Sequence, residues 1–75
     1  MIKVLVDGKV RIVRNKQIDY FTENDLSCKY KKCTINISKQ EAGDYLVSVT
    51  DKNGGYLVYG GFGGEYCRYQ IKTIE

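Results

Sequence analysis

Tyr45-Leu46-Val47-Ser48-Val49-Thr50-Asp51-Lys52-Asn53-Gly54-Gly55-Tyr56-Leu57-Val58-Tyr59 is the stretch that decides the fold. Tyr45, Val47 and Val49 alternate with Leu46, Ser48 and Thr50, the two-residue period that puts successive side chains on opposite faces of a strand. Asp51 to Gly54 supplies turn residues and Gly55 to Tyr59 a returning strand, so residues 45 to 59 read as a β-hairpin. Upstream, Cys33, Ile35 and Ile37 alternate with Thr34, Asn36 and Ser38 as a half-buried strand. Further upstream, Ile2 to Val6 and Lys9 to Arg14 flank Asp7-Gly8, a strong hairpin signal because such a turn wants positive φ at both central residues. Val10 and Ile12 share one face of the second arm, and Lys9, Arg11 and Val13 share the other. The first arm is apolar almost throughout, which marks a strand covered on both faces or one offering a face as an interface. Downstream, Gly60-Gly61-Phe62-Gly63-Gly64 reads as a reversal or bulge, and Glu65 to Ile74 as a long last strand. About six strands joined by short turns predict an all-β antiparallel sandwich or small barrel.

Between Asn15 and Lys32 the pattern loosens, with Ile18, Tyr20, Phe21, Leu26, Cys28 and Tyr30 scattered among polar residues. Thr22, followed three places later by Asp25, can open a short helix over 22–30, since a hydroxyl and early acids satisfy free amide donors. A loop or a short irregular strand is the alternative, and a helix there would make the fold α+β.

Seventy-five residues form one domain, 1–75. Hydrophobic residues at 43% and charged residues at 28% give a globular balance, so the chain should fold. No apolar run approaches the ~20 residues of a membrane span or the core of a secretory signal, which predicts a cytoplasmic chain with no membrane partner. The sequence has no His, Trp or Pro, so it lacks both the commonest general base and the commonest metal ligand. A non-enzyme without cofactor follows. Cys28 and Cys33 make one loose pair with Cys67 remote, short of the four ligands of a structural zinc site. Reduced thiols are expected, with Cys33 and Cys67 acting as small buried hydrophobes. Gly60 to Gly64 fails as a phosphate loop, because no Lys-Ser/Thr and no helix follow it.

A formal charge of +3 permits nucleic-acid contact without demanding it. Seven tyrosines are more telling. Strict alternation puts Tyr56 and Tyr59 on opposite faces of one strand, and Tyr66 and Tyr69 likewise, so some rings must face solvent. Exposed Tyr beside Arg68 is a pairing enriched at binding hot spots.

Glu41-Ala42-Gly43-Asp44-Tyr45-Leu46-Val47 resembles the acidic-Ala-Gly-x-Tyr-x-Cys signature of immunoglobulin-like domains of the I-set type. Thr34 to Ile37 is similar to the preceding E strand, Val6 to Lys9 to a C–C′ turn and Asp51 to Gly54 to an F–G turn, a partial pattern over residues 3–59. The resemblance implies that Tyr45 is the corner tyrosine whose hydroxyl bonds back to the backbone, and that the chain is an interaction module.

These features predict a non-enzymatic protein-binding domain that recognises its partner through Tyr56, Tyr59, Tyr66 and Arg68, with Lys29, Tyr30, Lys31 and Lys32 reaching an acidic groove. Lys, Ile, Tyr and Asn, all with AT-rich codons, are abundant. By class-level analogy that points to a small phage or mobile-element inhibitor blocking a host nucleoprotein enzyme by occlusion. The alternative is single-stranded nucleic-acid binding, with bases stacked on Tyr30 and phosphates held by the neighbouring lysines. A core this small also favours homodimerisation, through the apolar first strand or the long last strand.

Overall fold

The computed structural model describes residues 2–63 and 68–74. The Asp7-Gly8 turn closes as its residues require, with φ of 50° and 82°. Ile2–Val6 (β1) therefore pairs antiparallel with Lys9–Val13 (β2), Val6 opposite Lys9. Ile2, Val4 and Val13 point inward and are buried, while Val10 and Ile12 take the outer face. Gln70–Ile74 (β8) pairs with the other side of β1, giving a smaller sheet in the order β2-β1-β8. β1 is thus central, with both edges occupied. The last strand is shorter than its alternation suggested, because Arg68 and Tyr69 lie in a bend and pairing begins at Gln70.

A 3-10 turn, Asn15–Gln17, carries the chain to the second sheet. Gln17 fastens this crossing: its Oε1 accepts from the Arg14 N–H at 2.9 Å and its Nε2 donates to the Lys29 carbonyl at 3.3 Å. The second, larger sheet is a meander of Ile18–Phe21 (β3), Asp25–Tyr30 (β4), Cys33–Lys39 (β5), Tyr45–Thr50 (β6) and Tyr56–Phe62 (β7), all antiparallel.

The protein is therefore all-β, and the described residues form eight strands in two sheets where the sequence showed about six. The two additional strands, β3 and β4, occupy the unread segment, and the helix over 22–30 that would have made the fold α+β does not form. Thr22 and Asp25 do interact, but across a hairpin turn: the Asp25 N–H donates to Thr22 Oγ1 at 3.2 Å, and the Thr22 N–H to the Asp25 carbonyl at 2.8 Å. Hydroxyl and acid satisfy backbone donors in either setting, and the alternating Leu26, Cys28 and Tyr30 select the strand by placing their side chains on the core face.

The inward faces of the two sheets pack as a sandwich. Leu26, Cys28, Ile35, Ile37, Val47 and Val49 from the larger sheet meet Ile2, Val4 and Val13 from the smaller. Gly60 and Gly61 lie inside β7, which runs through to Phe62, so the chain does not reverse at Gly60 to Phe62, and Gly64 of the expected reversal or bulge lies outside the described residues.

Candidate functional site

The outer face of the larger sheet alternates with the core face and carries small polar residues. Tyr20, Ser27, Asn36, Ser48 and Tyr59 stand directly opposite one another across all the strands of that sheet, one row from edge to edge. At about 4.8 Å per strand the row spans roughly 19 Å, with an exposed ring at each end. Asn36 Nδ2 donates to Ser48 Oγ at 3.2 Å, and Ser38 Oγ donates to Asp25 Oδ1 in the adjoining row. Leu46 is the exposed apolar residue of that row, between Ser38 and Gly61. Together these side chains line an open groove of about 270 Å³, and its one charged residue is Asp25.

Beside the groove a bulge changes the face of two rings. Val49 is opposite Val58 but Thr50 is opposite Tyr56, so β7 contains one extra residue, Leu57. An extra residue shifts the alternation by one place, and Tyr56 joins Tyr59 on the outer face. Their ring centroids are 5.1 Å apart at an interplanar angle of 61°, an edge-to-face pair. Strict alternation had separated these two tyrosines, and the bulge overturns that. Their exposures of 66% and 69%, with 54% at Tyr20, make this face the aromatic surface of the molecule.

The remaining residues singled out from the sequence lie elsewhere. Lys29, Thr34, Thr50 and Tyr56 form a second row, which puts Lys29 roughly 14 Å from Tyr56 and on the same face. Its ammonium pairs with Asp19 at 2.6 Å, so its charge is answered locally. Tyr30 follows the inward phase of Leu26 and Cys28 and packs half-buried against the core. Lys31 Nζ sits 5.5 Å from the centroid of that ring. Lys31 and Lys32 form the two-residue turn between β4 and β5, with φ of 49° and 67°, a geometry that glycine and asparagine adopt far more readily. Arg68 pairs with Asp7 at 3.2 Å. Both border a groove lined by Val58, which faces the core, so Arg68 lies on the other side of β7 from the tyrosine pair. Tyr66 and Cys67 lie outside the described residues.

Sequence reasoning missed Tyr20, Leu46 and Leu57. Leu46 had a visible signal, being the apolar member of the polar phase Leu46, Ser48, Thr50. Tyr20 sits in the segment that went unread. Among the described residues Cys28 is the fully buried thiol, whereas Cys33 is half-buried. Burial pushes the Cys28 thiol up to about 11 from 9.0, with Asp19 adding to the rise and Lys29 opposing it. It is protonated and unreactive at neutral pH. Among the described residues no group of three His, Cys, Asp or Glu could hold a metal ion, and no helix is long and apolar enough to cross a membrane. No protein-family model, curated protein or solved structure matches the chain.

Proposed function

We propose that the chain is a non-enzymatic protein-binding domain that docks its partner on the outer face of the larger sheet. The observation that carries this reading is the Tyr56–Tyr59 pair, two rings turned to one face by a single inserted residue and left in water. Rigid rings give large contact area at little rotamer cost, which is why they anchor protein interfaces. Leu46 and Tyr20 extend the surface, and the groove between them is open and small beside the ~300–1,000 Å³ of pockets that enclose small molecules. It suits side chains projecting from another protein.

Charge favours this reading over single-stranded nucleic acid. No Lys or Arg lines the groove, Lys29 is paired with Asp19, and Tyr30 is packed against the core. The exposed Lys31–Lys32 corner suits an acidic patch on the partner. Occlusion of a host nucleoprotein enzyme is the mode of action we attach to this reading, supported by small size and the abundance of Lys, Ile, Tyr and Asn.

Affinity purification from host lysate with quantitative mass spectrometry tests it. The wild-type chain is expected to enrich a partner, and the Tyr56→Ala/Tyr59→Ala double variant to lose it by more than about tenfold, the equivalent of ~1.4 kcal/mol. A Val10→Ser/Ile12→Ser variant on the opposite sheet should behave as wild type. Equal recovery by the tyrosine variant would sink the proposed surface. Salt-sensitive oligonucleotide binding in an anisotropy titration would instead favour the nucleic-acid reading.

A further inference from the structure

Among the described residues, β2 in the smaller sheet and β3 and β7 in the larger have an open edge. An open edge is a row of unpaired N–H and C=O groups, and charged side chains are a usual means of keeping other strands away from it. β2 carries Lys9 and Arg11, and β3 carries Asp19. β7 carries no charge, and neither does any residue from Asn53 through Gly64. Beside this edge lies a groove of about 260 Å³ lined by Asp7, Val58, Phe62, Arg68 and Tyr69. Phe62 stands opposite Tyr45 and so belongs to the core-facing side of β7, yet it is 37% exposed.

We propose that a second copy of the chain covers this edge, β7 pairing antiparallel with its counterpart about a two-fold axis at Gly60. In that register Gly60 faces Gly60, Tyr59 faces Gly61 and Val58 faces Phe62. The side chains interlock. On the outer face the ring of Tyr59 covers the gap left by Gly61 of the other copy, and on the core-facing side Phe62 lies against Val58 at the groove. The axis keeps like faces together, so one continuous sheet results, with both Tyr56–Tyr59 pairs on the same side. A strand suited to this edge must be uncharged and must set rings against glycines, and the strand here with that pattern is β7 itself. Because the two-fold axis uses the same edge on both copies, and β2 and β3 carry charge, the association closes at two copies rather than propagating.

Sedimentation equilibrium of the full chain from about 1 µM to about 1 mM is the test. The mass is expected to rise from 8.6 kDa to twice that value. Phe62→Lys lets a lone copy hold its ammonium in water but sets it against Val58 in the pair, and should weaken association by about a hundredfold or more. Gly61→Lys, at a position where an added Cβ meets nothing within 4 Å, serves as the second variant if circular dichroism shows Phe62→Lys unfolded. For the register, mixing Tyr59→Cys chains with Gly61→Cys chains under oxidation should link 59 to 61 between copies, as read by peptide mapping, and Gly61→Cys alone should give no 61–61 link. A mass that stays at 8.6 kDa overturns the proposal, and so does a dimer that both lysine variants leave unchanged. Phe62→Lys lies on the core-facing side and leaves the outer face unchanged, so its partner recovery reports separately on the docking surface.

Discussion

At the scale of the residue, Cys28 shows what the sequence hid. Alternation in the strand from Cys33 was plain, so Cys33 was expected inside. Cys33 does pack half-buried against the core, but among the described residues the fully buried thiol is Cys28, in a strand that polar neighbours disguised. Because the neutral thiol is the form that burial favours, its folded pKa of about 11 lies above the ordinary 9.0. The stability this contributes is complete below pH 9 and is lost as pH rises towards 11, by at most about 2–3 kcal/mol over the two units. Urea melts across that window should therefore show a loss that Cys28→Val reduces. A slope identical in wild type and variant would show that Cys28 contributes none of it. Of the groove residues, Asn36, Ile37, Ser38, Leu46, Ser48 and Tyr59 were legible as strand positions, and Tyr20, Asp25, Leu26 and Ser27 were not. That Tyr20 and Tyr59 end one row was not, because row membership depends on register across every strand of the sheet.

At the scale of the element, turns that obey backbone chemistry were read and those that break it were not. Asp7-Gly8 and Asp51 to Gly54 carry residues suited to their geometry, and Asp51 Oδ1 accepts from the Asn53 and Gly55 N–H groups at 2.8 and 2.9 Å. Lys31-Lys32 does not, since each lysine holds a positive φ at a cost of about 1 kcal/mol or more. That unfavourable pair kept β4 and β5 from being read as a hairpin. Replacing it by Lys31→Asn/Lys32→Gly is expected to stabilise the domain by about 1–2 kcal/mol in a thermal melt, and no gain would show that the lysines have relieved the strain by other contacts. The bulge at Leu57 is the opposite case: nothing in Tyr56-Leu57-Val58-Tyr59 marks an inserted residue, and the pairing partner alone reveals it. The most consequential feature of the candidate surface was therefore outside the reach of period counting.

At the scale of the molecule, the all-β class followed from strand periodicity, and the division into two sheets came from the crossing at Asn15–Gln17 that the sequence did not show. The division makes one interior carry the whole structure. Ile37→Ala inside it should cost about 2–5 kcal/mol, most of what a domain of this size has, whereas Ile12→Thr on the outer face of the smaller sheet should stay within about 0.5 kcal/mol. Chemical denaturation of both variants checks the contrast, and equal losses would mean that Ile12 is covered in solution.

The pairing of β1 with β8 sets Ile2 opposite Ile74. Translation delivers the first of these strands several seconds before the second, at about 5–20 residues per second. The meander from Ile18 to Phe62 is built of sequential neighbours and can assemble as it leaves the ribosome, while the nascent β1–β2 hairpin waits with Ile2, Val4 and Val13 half-sheltered. Completion of the smaller sheet thus waits on its last-made strand, and until that strand arrives one side of the first stays bare.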